Sequence, residues 1–180
     1  MSELRLNLVT REWVIIATER ARRPDEFRQP ARKPKIPPHW HACPFCPGNE
    51  SKTPAETFRI EAKDGSWKVR AFANKFSALH PEASPRREQR GLRRSLAGTG
   101  RHEVVVETPR HNGFLARLSE SDVAAVLVAY RERFNALYRD PRIRHVIVFK
   151  NHGEGAGTSL IHPHSRSWER RWCPCRCGTG

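Results

Sequence analysis

Apolar and polar residues alternate from Leu4 onward to Val9 and resume from Trp13 to Ala17, with Thr10, Arg11 and Glu12 between them. Two period-two runs joined by a polar turn predict a β-hairpin at the start of the chain. Residues 67–72 and 103–107 are short runs rich in β-branched and aromatic side chains and are predicted strands. The period then changes. Between Ser119 and Tyr138, residues Val123, Val126, Leu127, Tyr130, Phe134 and Leu137 fall on one stripe of a 3.6-residue helix. Ser119 and Asp122 form a capping-box-like start, with Asp in place of the usual Glu, and Asp140-Pro141 ends the helix. Residues 144–149 are again apolar and β-branched, and this predicted strand runs into a glycine-bearing loop. The sequence contains no internal repeat.

Between these elements the patterning fails in three places. Residues 24–41 carry Pro24, Pro30, Pro34, Pro37 and Pro38 and predict an extended surface connection. Arg86, Arg87, Arg90, Arg93, Arg94 and Arg101 share a stretch with Gly91, Gly98 and Gly100, which reads as a solvated, mobile loop. From Arg166 onward no periodicity is left, so residues 166–180 predict neither strand nor helix. Residues 1–165 then form one domain followed by an aberrant tail.

Composition narrows the class of protein. The 180 residues suffice for one domain with a real core. The formal charge of +14 and a pI near 10.6 suit a nucleic-acid binder. The aromatics, however, do not alternate with the basic residues as a base-stacking platform requires. No apolar run reaches membrane-spanning length and no signal peptide opens the chain, so a cytoplasmic location is expected. Five cysteines, an odd number without secretory context, point to metal or free thiols rather than a disulfide framework.

Two motifs carry chemistry. Cys43-Pro44-Phe45-Cys46 has the Cys-x-x-Cys spacing at which two thiolates bind one ion, although a redox pair has the same spacing. Asn151-His152-Gly153-Glu154-Gly155-Ala156-Gly157-Thr158-Ser159 leads into His162-Pro163-His164. Three glycines in five positions let backbone N–H groups turn toward one point, which suits a phosphate. In extended chain His162 and His164 leave the same face. A phosphate-cradling loop that runs into an imidazole nucleophile is what nucleotidyl transfer through a phosphohistidine requires.

This segment resembles the active-site motif of the galactose-1-phosphate uridylyltransferases, in the histidine-triad-like superfamily. The resemblance also covers residues 7–16 and 20–24, the knuckle at 43–50, the segment 72–79 and the block Glu107-Thr108-Pro109-Arg110-His111, all in order. It implies an α+β fold: an antiparallel sheet, a half-barrel in the family, with packed helices. His111 and His162 would complete a structural Zn²⁺ site with Cys43 and Cys46, pinning the proline-rich loop against the strand that carries His164. His164 would be the nucleophile, accepting a uridylyl group from UDP-glucose and passing it to galactose 1-phosphate. Arg20, Arg23, Asn74 and Lys75 would lie near the nucleotide. Asn151, Gly157, Thr158 and Ser159 would hold the phosphates.

A phosphorylase-like relative that passes a nucleotidyl group to phosphate would use the same histidine. A basic zinc-binding nucleic-acid module is the non-enzyme alternative, but it leaves the glycine loop and His-Pro-His unexplained. The expected partners are therefore UDP-glucose and galactose 1-phosphate, with no nucleic acid and no membrane, and a family-like homodimer at full length. The resemblance also exposes departures. The family places Gln where Arg166 stands and continues into an apolar strand. With GC-rich codons chosen freely, reading from the third base of the Arg166 codon can give Gln-Leu-Gly-Ala-Thr-Val-Val-Pro-Val-Pro-Val-Arg, which points to a frameshift close to residue 166, with a genuine divergent tail as the alternative. The family's second half is also missing, so this chain is expected to show little or no exchange activity.

Overall fold

The computed structural model describes residues 2–17, 36–83, 87–153, 156, 158 and 160–170. The described strands form two antiparallel sheets. The first is built from β1 (Glu3–Leu6), β2 (Trp13–Ile16), β5 (Arg87–Arg90) and β6 (Arg93–Ala97), in the order β2-β1-β6-β5. The second is built from β3 (Glu56–Glu61), β4 (Trp67–Ala73), β7 (His102–Val106), β8 (His145–Phe149) and β9 (His164–Arg170), in the order β3-β4-β7-β9-β8. One α-helix, α1 (Glu120–Tyr138), packs on this second sheet. The α+β class read from the sequence therefore holds. None of the described helices is long and apolar enough to cross a membrane.

Strand alternation gives the five-stranded sheet two different faces. Val104 and Val106 of β7 pack with Cys43, Phe45, Cys46, Trp67 and Phe72. Val105 points the other way and packs with Val69, Ala71 and, from α1, Val126 and Ala129. β9 inherits the same division through its pairing with β7, in which Val106 faces His164 and Val105 faces Ser165. His164 therefore lies on the knuckle side and Ser165 on the helix side. The same parity sorts the side chains of β9 from His164 to Glu169.

The helix begins as its sequence predicts. Ser119 Oγ accepts from the Asp122 backbone N–H at 3.2 Å, and its hydroxyl donates to Asp122 Oδ2 at 2.8 Å. Its buried face is shifted from the predicted stripe. Val126, Ala129 and Leu137 are buried, while Leu127 and Phe134 are exposed. Beside this face the Arg133 guanidinium turns inward and donates to Glu103 at 2.8 and 2.9 Å.

Three further expectations are corrected. The arginine-rich stretch is a β-hairpin rather than a loop: Ser95 and Leu96 bury against β1, while Arg87, Arg90, Arg93 and Arg94 stay exposed. Gly91 makes its turn at φ 59°. β3 escaped the pattern reading although its exposure alternates strictly, because Glu56 and Arg59 disguise the inward Phe58 and Ile60. Most consequentially, the chain does not lose structure at Arg166. It continues as β9 to Arg170, hydrogen-bonded on both sides, to β7 and to β8. Gly100 marks how closely this strand is fitted, since a Cβ there would lie 2.1 Å from Glu169 O. Residues 171–180, with Cys173, Cys175 and Cys177, lie outside the described residues.

Candidate functional site

The knuckle is held in shape by its own backbone. Cys43 N–H donates to Trp40 O at 3.0 Å, Cys46 N–H to Cys43 O at 3.3 Å, and Asn49 Nδ2 to Cys43 O at 2.8 Å. Beneath it lies Arg70, fully buried, which donates to Pro44 O at 3.1 Å and to Thr53 Oγ1 at 3.0 Å. These contacts turn both thiols toward the sheet, where two histidines arrive from distant segments.

Cys43, Cys46, His111 and His162 are all buried, and their ligand atoms lie within 4.8 Å of one another. Cys46 Sγ stands 3.5 Å from His111 Nδ1 and 3.6 Å from His162 Nδ1, and Cys43 Sγ stands 3.7 Å from His162 Nδ1. With metal–sulfur and metal–nitrogen bonds of about 2.3 and 2.0 Å, a tetrahedral ion sets such edges at roughly 3.6 Å. The donor set fits a metal ion. His162 Nε2 donates to Thr108 O at 2.7 Å, which leaves Nδ1 as the ligand and fixes the ring's orientation. Burial drives the His162 imidazole down to about 4 and the Cys43 thiol up to about 11. A pocket that keeps both groups neutral without a cation is the setting in which a bound cation draws out thiolates.

The metal cluster adjoins the second feature. Phe45 projects from the knuckle and meets the rings of both His162 and His164, at 6.1 and 5.3 Å between centroids. The two histidines thus do leave one face. His164 is 5% exposed and donates from Nδ1 to its neighbour's carbonyl, His162 O, at 2.8 Å. With the proton held on Nδ1, the lone pair is on Nε2. Burial lowers the imidazole's pKa, Arg166 and Lys150 lower it further, and the His162 carbonyl and Glu107 partly oppose them. The ring is therefore neutral at neutral pH, the state in which it can attack.

His164 lines a cleft of about 210 Å³ together with Phe45, Lys52, Asn74, Lys75, Phe76 and Arg166. Three cationic side chains around one neutral imidazole suit an anionic ligand. Phe76, 64% exposed at the cleft, offers an aromatic face. Asn74 shapes this wall: Oδ1 accepts from Phe76 N–H at 2.9 Å, and Nδ2 meets His102 Nε2 at 3.0 Å.

The sequence-predicted residues fall into three groups. Cys43, Cys46, His111 and His162 come together as one cluster, and His164, Asn74 and Lys75 come together at the cleft. Asn151 and Thr158 instead brace the glycine loop, Asn151 Nδ2 donating to Ala156 O and Thr158 Oγ1 to Asn151 O, both at 2.9 Å. Arg20, Arg23, Gly157 and Ser159 lie outside the described residues. Sequence reasoning missed Phe45, Lys52 and Phe76. Phe45 sits inside the knuckle and Phe76 beside Lys75, so proximity to known motifs was the available signal. Lys52 carried none.

Comparison with known proteins agrees with this geometry. The family model for the galactose-1-phosphate uridyl transferase N-terminal domain matches residues 1–174, and the chain belongs to that family. It is 36% identical to the ADP-glucose phosphorylase of Arabidopsis thaliana over 91% of its own length and 47% of that protein's. It is 26% identical to the galactose-1-phosphate uridylyltransferase of Saccharomyces cerevisiae, over 93% of this chain and 48% of that one. The crystal structure of an Arabidopsis thaliana ADP-glucose phosphorylase with bound ADP-glucose superposes with a TM-score of 0.63 at 30% identity, covering 97% of this chain and 50% of the other. A structure of a uridylyltransferase mutant gives 0.65 at 25% identity, over 96% and 46%. The chain spans about half the length of the curated relatives it matches.

Proposed function

We propose that this chain is the nucleotide-sugar-binding half of a nucleotidyltransferase that works through a covalent nucleotidyl-histidine on His164. The observation that carries this reading is the state of His164: buried, neutral, with Nδ1 committed to a carbonyl and Nε2 available at a cation-lined cleft. Nε2 attacks the α-phosphorus of a nucleoside-diphosphate sugar, forming a P–N bond as the bond to the bridging oxygen breaks and sugar 1-phosphate leaves. An acceptor phosphate oxygen then attacks the same phosphorus and the P–N bond breaks, returning the imidazole to its starting state. Lys75, Lys52 and Arg166 would offset the charge of the phosphates, and N–H groups of the glycine-bearing segment are proposed from sequence to meet the transferring group.

The donor and acceptor proposed from sequence are UDP-glucose and galactose 1-phosphate. A second reading, ADP-glucose with phosphate as the acceptor, is favoured by the 36% identity to the Arabidopsis thaliana phosphorylase. The metal proposed for Cys43, Cys46, His111 and His162 is Zn²⁺, whose closed tetrahedral site would tie the knuckle to the strand bearing His164.

The test is to incubate the protein with UDP-glucose or ADP-glucose labelled in the α-phosphate, and to locate the label by mass spectrometry after alkaline work-up. Label is expected on His164, acid-labile, and absent from His164→Ala. The preferred nucleotide identifies the donor, and release of label by galactose 1-phosphate or by phosphate identifies the acceptor. Label that persists in His164→Ala refutes the nucleophile.

A further inference from the structure

Behind the nucleophile, on the opposite face of the sheet, lies a buried polar cluster whose two charged members reach His164 only through their field and which has no role assigned above in holding the site. Glu107 is 1% exposed. Its Oε2 accepts from Lys150 Nζ, and its Oε1 accepts from Ser165 Oγ and, at 2.9 Å, from Tyr130 Oη. Tyr130 and Ser165 hydroxyls also meet at 2.6 Å. The four groups come from four elements: the residue after β7, the residue after β8, the second residue of β9, and the middle of α1.

Their place in the fold is specific. The β7–β9 ladder ends at Val106 opposite His164, and the β8–β9 ladder ends at Phe149 opposite Arg166. Glu107 and Lys150 are the first residues beyond the two ladders. Ser165 adjoins His164, and Lys150 adjoins Asn151, whose carbonyl and amide brace the glycine loop. The cluster therefore joins the root of the glycine loop to the strand of the nucleophile where β8–β9 backbone pairing stops, while Glu107 N–H still donates to Pro163 O at 3.2 Å. Stability is a poor explanation for a buried ion pair, because apolar side chains of similar volume commonly stabilise as much or more. A fully satisfied charge pair does fix geometry.

We propose that Glu107 is a positioning residue: through Lys150 and Ser165 it fixes the root of the glycine loop, residues 150–153, relative to the strand that carries His164. This rests on the nucleotidyl-transfer reading above. The cluster touches no substrate; it acts on distance. Misplacing a reacting group by about 1 Å costs on the order of 100-fold in rate.

The test uses the full chain and two variants, Glu107→Gln and the apolar pair Glu107→Leu/Lys150→Met. Three quantities are read: the single-turnover rate of His164 labelling at saturating donor, the dissociation constant for the donor, and amide hydrogen exchange at residues 150–153. In Glu107→Gln, labelling should slow by roughly 10- to 100-fold while donor affinity changes less than about threefold, and exchange at the loop root should rise. The apolar pair should melt at or above the wild-type temperature with full metal content, yet label as slowly as Glu107→Gln. If the apolar pair labels at the wild-type rate, or exchange at 150–153 is unchanged in Glu107→Gln, positioning by Glu107 is wrong. If the wild type leaves no label on His164 while exchange still rises in Glu107→Gln, the nucleotidyl reading fails and the clamp stands.

Discussion

The Cys43 thiol illustrates how a single side chain can depend on a ligand for its chemistry. Buried among Phe45, Trp67 and the two histidines, it is held neutral without a cation. The same position, 3.7 Å from His162 Nδ1, is a tetrahedral edge once an ion is bound. Zinc is expected at one ion per chain, and Cys43→Ser should reduce it to well below half occupancy. Losing the ion should also lower the melting temperature by about 5–10 °C, since metal affinity is coupled to folding and a domain of this size shifts by about 2–4 °C per kcal/mol. Elemental analysis checks the first effect and calorimetry the second. Unchanged metal content in Cys43→Ser would falsify the ligand assignment.

At the scale of the element, β9 is the informative case. Its knuckle-side residues are well used: His164 and Arg166 line the cleft, and Trp168 packs edge-on against His102 and Phe149. Its helix-side residues are Ser165, Ser167 and Glu169, all buried. Ser165 belongs to the Glu107 cluster. Ser167 Oγ and Glu169 Oε2 have no hydrogen-bond partner. A strand against a helix ordinarily presents apolar side chains there, and the neighbouring reading frame would put Leu and Ala at these two positions. We therefore propose that the frame changes close to Arg166, and resequencing the locus decides it. Burial raises the Glu169 carboxyl to about 7, with Asp140 and Glu103 adding to the shift and Arg101 opposing it. Because the folded state then holds a proton that the unfolded state releases near 4.5, stability should fall as pH rises from about 4.5 to 7. Ser167→Ala/Glu169→Met keeps side-chain volume nearly constant and removes both orphaned groups. It should gain about 1–3 kcal/mol at pH 7.5 and flatten the pH dependence, as measured by urea unfolding.

For the molecule as a whole, the cleft and the proposed nucleophile lie on this chain, whereas its described residues form no second cleft beside His164 for an acceptor. The two half-reactions should therefore separate. The protein is expected to label His164 but to exchange UDP-glucose with galactose 1-phosphate, or ADP-glucose with phosphate, at least about 100-fold more slowly than a version extended in the alternative frame. By the family resemblance, Arg166 stands where Gln would offer a planar amide to the transferring phosphoryl group, and although its charge can attract a phosphate, losing such an oriented donor would cost on the order of 100-fold. Binding the acceptor without a fixed geometry costs more. Equal turnover by the two versions would show that the chain as it stands, tail included, carries the full reaction.

Local patterns in the sequence determined the hairpin, the strands β4, β7 and β8, and the capped helix, because period and capping act within a few residues. The same holds for the motifs, since Cys43-x-x-Cys46 and His162-Pro163-His164 are contiguous and their chemistry follows from residue type. Family resemblance, rather than spacing, brought His111 to the metal cluster, and the tertiary structure then put its Nδ1 3.5 Å from Cys46 Sγ. What only the tertiary structure decided is everything set by partners far along the chain. Arg133 of α1 turns inward because Glu103, 30 positions earlier, accepts its hydrogen bonds. The arginine-rich stretch becomes a hairpin because β1 offers an edge, and residues 166–170 become a strand because β7 and β8 leave a gap that backbone hydrogen bonds fill regardless of side chain. Glu107 looked like one residue of a motif. Its role became visible only when two ladders were seen to end beside it, with Lys150 and Ser165 within reach.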